Sequence, residues 1–419
     1  MQMADTISDR VNSNVLDVEA VRRDFPILAE TIYGKPLVFM DSGASAQKPR
    51  QVIDAMRHCM EHQYSNVHRG AHFLSAATTD AFEQARDRVA RFLNAASPDE
   101  IIFTANATAA INLVAHSYGR AFLKAGDEVI VSEMEHHANI VPWQLLAEAT
   151  GVVLRVAPVE DDGRFLVERF AELLNERTKL VAITHCSNVL GTNVPAKEVA
   201  RLAHAAGAKV MFDGAQAVVH GPVDVQDIDA DFYGFTAHKL YGPSGLGVLY
   251  GKLDILNSMP PFLGGGDMID KVSFKGSTFK EAPHRFEAGT PAIVEVIGLH
   301  AAIDYVADIG FDAIRAHEAG LRDYAHERLV AIDGMRLIGT APDKAAIISF
   351  LVDGLHPYDV AAVLDRQGVA CRVGHHCAEP LMDRLGIIGT VRATLAMYNT
   401  KAEIDVLALA VEKAKKMLA

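Results

Sequence analysis

Val210-Met211-Phe212-Asp213-Gly214-Ala215-Gln216 is an apolar run that stops on a carboxylate and a glycine. A short run with no polar face predicts a strand covered by helices on both sides, as in a parallel sheet. Outward from it the same alternation repeats. Upstream, helical patterns at 81–93, 109–124 and 196–206 alternate with strand-like runs at 101–104, 128–132, 152–157 and 180–185. Downstream, short strands are expected near 232–235 and 247–250. Strands separated by helical patterns read as βαβ units. The alternation breaks at Pro260-Pro261 and Gly264-Gly265-Gly266, which predicts a long functional loop region.

After Pro291, a helical stretch at 293–308 leads to strands near 346–351, 369–372 and 391–396. The last helix is the clearest: Thr400 and Glu403 have capping-box spacing, and Ile404, Leu407, Ala408 and Val411 make one apolar stripe. The expected class is α/β. A large domain spans 31–295, a smaller α/β domain spans 296–419, and a weakly amphipathic segment within 1–30 packs on the smaller one.

Composition narrows the function. A chain of 419 residues, 50% apolar and 22% charged, is a folded globular protein of more than one domain. Its 40 basic against 53 acidic residues leave a net charge of −13, which argues against a general nucleic-acid or anionic-membrane binder. Cys59, Cys186, Cys371 and Cys377 are too few and too scattered for a disulfide framework, which fits a reducing compartment. Acidic Asp5, Asp9 and Asp17 suit neither a secretory signal nor a transit peptide, and no apolar run approaches a membrane span, so the cytoplasm is expected.

Reactive groups of a parallel sheet collect beyond the carboxyl ends of its strands. Asp213 stands at one such end, where it either meets a cationic partner or caps the next helix. Lys239, in Thr236-Ala237-His238-Lys239, stands at another, and in a desolvated pocket its amine would be neutral enough to form a Schiff base. An amine and a carboxylate facing one pocket suggest pyridoxal phosphate, whose imine and pyridinium nitrogen need one of each. The turn Ala105-Asn106-Ala107-Thr108-Ala109, opening a helix, offers a phosphate cradle or a plain cap. His136, past strand 128–132, could stack on a flat ring. The pair His136-His137 lacks the spacing of a helical zinc site, and no metal is expected. Arg372-Val373-Gly374-His375-His376-Cys377 puts a thiol in a polar loop, where positive charge lowers a thiol's pKa. Arg392 could grip a substrate carboxylate with its planar fork.

Together these stretches resemble the pyridoxal-phosphate cysteine desulfurases of the SUF iron–sulfur assembly system, a group of the class V aminotransferases close to selenocysteine lyases. The resemblance rests on Asp41-Ser42-Gly43-Ala44-Ser45-Ala46-Gln47-Lys48-Pro49, Asn66-Val67-His68-Arg69-Gly70, Glu135-His136-His137-Ala138-Asn139, Asp213-Gly214-Ala215-Gln216, His238-Lys239-Leu240-Tyr241-Gly242-Pro243, Arg285-Phe286-Glu287-Ala288-Gly289-Thr290-Pro291 and the Cys377 loop. It implies a type I aminotransferase-like fold with a mostly parallel seven-stranded sheet, and a homodimer. Lys239 would carry the cofactor, Asp213 would pair with the ring nitrogen, His136 would stack and Gln216 would touch the ring oxygen. Ala107, Thr108, Thr236 and His238 would hold the phosphate, joined by Thr290 from the partner subunit. Asn188, Arg372 and Arg392 would bind the substrate carboxylate, and Cys377 would accept sulfur from L-cysteine. Implied partners are a sulfur acceptor of the SufE or SufU type and SUF scaffold proteins. Selenocysteine lyase is the alternative, and a non-enzymatic sulfur carrier has no use for Lys239 with Asp213. Three departures stand out: Gly43 where alanine is usual, Cys186 beside Ser187-Asn188, and Ala292-Ile293-Val294-Glu295-Val296 after the Gly-Thr-Pro motif.

Overall fold

The computed structural model describes residues 11–12 and 15–418. Whatever was expected of residues 1–10, 13, 14 and 419 lies outside the described residues.

The apolar runs form one seven-stranded sheet: β1 (Ile101–Thr104), β2 (Glu128–Ser132), β3 (Val153–Ala157), β4 (Thr178–Thr184), β5 (Lys209–Asp213), β6 (Phe232–Thr236) and β7 (Gly247–Gly251). Their spatial order is β1-β7-β6-β5-β4-β2-β3. Neighbours from β6 through β3 pair in parallel, and β7 runs antiparallel to both β6 and β1. This is the mostly parallel sheet of the type I fold. Strands β2, β6 and β7 are buried along their whole length, as runs without a polar face require. β3, at one edge of the sheet, departs from that pattern, with Val153 and Val156 exposed.

A second sheet joins β8 (Met335–Ile338), β9 (Ile347–Val352), β10 (Arg372–Gly374) and β11 (Thr390–Thr394) in the order β8-β9-β11-β10, all antiparallel. The helix Lys401–Leu418 covers it. Thr400 N–H donates to Glu403 Oε2 (2.9 Å) while Glu403 N–H donates to Thr400 Oγ1 (3.2 Å), so the capping box forms. Ile404, Leu407, Ala408 and Val411 are buried in one cluster with Phe350 and Val391.

Three local expectations change. The helix beginning at 81 starts a full two turns earlier, as Phe73–Leu93, because His72 Nδ1 caps Ser75 N–H (3.3 Å). Within its first turns Thr78 and Thr79 return their hydroxyls to the carbonyls of Leu74 and Ser75 (both 2.7 Å). The single strand at 369–372 is two: Val369–Ala370 pairs in parallel with Val38–Phe39, and after Cys371 the chain changes partner to β11. The loop region after 260 contains an exposed hairpin, Ile269–Ser273 with Gly276–Phe279, whose tip carries the fully exposed Phe274.

The short helix Val18–Arg23 lies at the seam between the sheets. Arg22 reaches Glu403 Oε1 (2.9 Å), and the Phe25 ring meets Tyr241, Tyr305 and Tyr398 edge-on. Among the described residues no helix is long and apolar enough to cross a membrane.

Candidate active site

The carboxyl ends of β1, β2, β4, β5 and β6 meet β10 and β11 around a cavity of about 180 Å³. Its wall includes Ala107, Thr108, His136, Asn188, Asp213, Gln216, Thr236, His238, Lys239, Arg372, Cys377 and Arg392. Residues separated by nearly three hundred positions are thereby brought to one place. Thr290 is the exception: it is exposed, and lines a separate groove beside Phe103, Leu246, Phe262 and Phe286.

Asp213 closes β5 and is buried, with Oδ1 accepting the Ala215 N–H (3.0 Å). It caps its own turn and still faces the cavity. Gly214 is required behind it, since a Cβ there would stand 2.0 Å from the Tyr233 ring. Lys239 ends the one-turn helix Ala237–Lys239 that follows β6. Burial draws its amine down to about 8 against the opposing pull of Asp213, with Arg392 and Arg372 adding to the depression. A lysine so held is poised as a nucleophile near neutral pH.

The loop after β2 rests on Glu135, a fully buried carboxyl that the sequence reading passed over. It accepts from Ser132 Oγ (2.5 Å), Thr184 N–H (2.9 Å) and Asn139 Nδ2 (2.7 Å), and Asn139 in turn accepts from the Trp143 indole (3.0 Å). Burial raises Glu135 to about 7. This network fixes His136, whose Nδ1 accepts the Ala138 N–H (3.0 Å). Burial lowers His136 to about 4, so its ring is neutral, as stacking on a cationic ring system favours. The signal for Glu135 was the oddity of a second acid in Glu133-Met134-Glu135 just past an apolar strand.

Across the cavity, Asn106 caps the helix Ala107–Leu113 by accepting the Ala109 N–H (2.8 Å). Asn106 thus caps its helix while Asn106, Ala107 and Thr108 all line the cavity. Gly247 of β7 lies so near that a Cβ would meet the Asn106 carbonyl carbon at 2.3 Å. Gln216 Nε2 donates to Gly43 O (2.8 Å). Gly43 is itself dictated by packing, because a Cβ would stand 2.5 Å from Thr394 Oγ1.

Arg392 is buried at the cavity wall, where it donates to Asn188 O (2.9 Å) and contacts Asp41 Oδ1 (3.4 Å). Burial lowers its pKa to about 10, which leaves the guanidinium charged. Its Nε has no acceptor among the described residues. Asp41, another residue the sequence reading did not single out for chemistry, has its own carboxyl raised by burial despite both arginines.

His376 and Cys377 both take left-handed backbone, with φ of 54° and 57°, unusual for residues with a side chain. Asn188 Nδ2 donates to His376 O (2.8 Å), His137 N–H donates to Cys377 O (2.6 Å), and His376 Nε2 lies 2.8 Å from Thr390 Oγ1. Cys377 is half-buried, whereas Cys59 and Cys186 are buried, and burial pushes the Cys186 and Cys371 thiols up to about 12. Cys186, although it lines the cavity, is thus a protonated filler. Among the described residues no group of three or more His, Cys, Asp or Glu could hold a metal ion.

The sequence profile of the class-V aminotransferases matches residues 38–407. A probable cysteine desulfurase 1 of Mycobacterium leprae is 50% identical over 393 residues, covering 94% of this chain and 64% of that protein. The chain thus spans less than two thirds of that relative's length. A cysteine desulfurase of Dickeya dadantii is 52% identical over 402 residues, covering 96% of this chain and 97% of its own. Among solved structures, the cysteine desulfurase CsdA of Escherichia coli, in its S-sulfonic acid form, superposes with a TM-score of 0.88 at 40% identity, over 97% of this chain and 100% of that one.

Proposed function

The chain belongs to the class-V aminotransferase family, whose members use pyridoxal phosphate, and from that premise we propose that it is a cysteine desulfurase, converting L-cysteine to L-alanine and taking the sulfur onto Cys377. The donor set suits the cofactor: one depressed amine and one buried carboxylate share a cavity that also has a helix N-terminus for a phosphate and a charged guanidinium whose Nε has no acceptor among the described residues. When bound, pyridoxal phosphate supplies an electron sink that acidifies the substrate Cα–H and loosens the Cβ–S bond.

The chain's own residues do the rest. Lys239 Nζ anchors the cofactor and then, freed by substrate, removes and redelivers the Cα proton. Asp213 keeps the ring nitrogen protonated by its negative charge, and neutral His136 stacks on the ring. Gln216 donates to the ring oxygen. Ala107, Thr108, Thr236 and His238 hold the phosphate, with a Thr290 supplied by a partner copy in a homodimer. Asn188, Arg372 and Arg392 hold the substrate carboxylate by charge-assisted hydrogen bonds. The Cys377 thiolate attacks the substrate sulfur: an S–S bond forms, the Cβ–S bond breaks with its electron pair left on carbon, and a proton delivered there completes alanine. The persulfide on Cys377 then passes to an acceptor protein of the SufE or SufU type, which serves iron–sulfur assembly in the cytoplasm.

The observation that carries this reading is a half-buried cysteine on the same cavity as the Lys239 and Asp213 pair. Purified protein loaded with cofactor is expected to yield alanine from L-cysteine in the presence of a thiol. Cys377→Ser is expected to keep the L-cysteine-induced spectral change and lose alanine output. Undiminished alanine production by that variant would refute the role of Cys377.

A further inference from the structure

The two histidines after β2 have different tasks. His136 faces the cavity, but His137 turns to the Cys377 loop and is bonded to it twice. Its backbone N–H donates to Cys377 O (2.6 Å), and its Nε2 accepts the Glu379 N–H (3.0 Å). Glu379 is the first residue of the helix Glu379–Leu385, and its N–H has no acceptor within that helix. Between these two bonds lies only Ala378, and the thiol-bearing Cys377 is itself the second of two successive left-handed residues, His376 and Cys377. Non-glycine residues in that region are strained and persist only where surrounding contacts over-determine them.

We propose that His137 is a positioning residue that clips the Cys377 loop onto the cofactor-side loop, through the imidazole Nε2 as hydrogen-bond acceptor for the Glu379 amide. The proposal rests on Cys377 as the sulfur acceptor. The clip ties the two halves of the reaction together: one rigid loop, anchored on Glu135, carries His136 for the ring and His137 for the thiol. With the acceptor removed, the loop keeps its side-chain bonds at His376 and loses the one on the far side of the thiol, at Glu379. The thiol samples unproductive positions while the ring-binding groups stay in place.

His137→Phe keeps a ring of similar size and deletes the acceptor, whereas His137→Gln puts an amide oxygen near the Nε2 position. In the holoenzyme, His137→Phe is expected to lower kcat for alanine formation about tenfold or more with KM and cofactor spectrum unchanged. Alkylation of Cys377 by iodoacetamide, followed by peptide mass mapping, is expected to change several-fold, and His137→Gln is expected to restore both. Wild-type kcat and alkylation in His137→Phe, or no recovery in His137→Gln, would overturn the proposal. Should His137→Phe not fold, hydrogen exchange on the wild-type holoenzyme decides: the Glu379 amide is expected to be protected, and free exchange there refutes the clip. Loss of the Cys377 role itself is read separately, from alanine output of Cys377→Ser.

Discussion

Arg372 on β10 stands directly opposite Arg392 on β11, a like-charged pair in register across an antiparallel ladder. Such pairs destabilise a sheet. Asp41 offsets only part of this, contacting Arg392 at 3.4 Å from one side. Two guanidinium groups side by side on a cavity wall give it the charge and hydrogen-bond donors to bind an anion such as a carboxylate.

Arg372→Ala is therefore expected to raise KM for L-cysteine about tenfold or more, a loss of about 1.4 kcal/mol per factor of ten, while leaving the thermal midpoint unchanged or higher. Initial rates of alanine formation against L-cysteine concentration check this. A fall in kcat at constant KM would take Arg372 out of carboxylate binding.

The amine of Lys239 sits near 8 because of burial, well below the ordinary lysine value. Only the neutral amine condenses with an aldehyde. In cofactor-free protein, the rate of loading by pyridoxal phosphate is thus expected to rise about tenfold per pH unit up to about pH 8 and then level off. Stopped-flow absorbance reads it directly. A rate still climbing through pH 10 would mean that Lys239 titrates as an ordinary exposed lysine. Lys239→Ala should lose turnover altogether.

Much of this was legible in the residues themselves. Asp213 and Lys239 were readable as candidates because each follows a short run without a polar face, the pattern of a strand covered on both sides, beyond whose carboxyl end reactive groups collect. The seven-stranded order was not, since periodicity carries no information about which strand lies beside which. The break at Cys371 was hidden because the change of partner depends on Val38 and Phe39, more than three hundred residues away. Glu135 and Asp41 were missed because what brings each into the site comes from distant elements, the Thr184 amide for Glu135 and Arg392 for Asp41.

A buried ion pair outside the cavity secures the loop that bears Thr290. Arg86 forks onto Glu287 (NH1–Oε1 2.7 Å, NH2–Oε2 2.8 Å), and Glu287 Oε1 also accepts the Phe103 N–H (2.7 Å) at the edge strand β1. Glu287→Ala leaves Arg86 buried without its main partner and the β1 amide unsatisfied, an expected loss of about 3–5 kcal/mol. Thermal and urea unfolding of the cofactor-loaded protein measure it, and a shift within the error of the wild-type midpoint would show that the pair is dispensable.

Thr290, exposed and away from the cavity of its own chain, is expected to complete the phosphate site of a second copy. Light scattering at assay concentration should then give twice the chain mass of 45.3 kDa. A monomer with full activity would contradict the shared site, whereas a dimer in which Thr290→Ala releases cofactor faster agrees with it.

The central claim is that sulfur leaves L-cysteine for Cys377, and intact-peptide mass spectrometry after one turnover without reductant or acceptor addresses it most directly. The account predicts one added sulfur atom on the peptide containing Cys377, in proportion to the alanine formed, with Cys59, Cys186 and Cys371 unmodified. Alanine formed with no sulfur on Cys377, or with the sulfur on one of the other three, would contradict it.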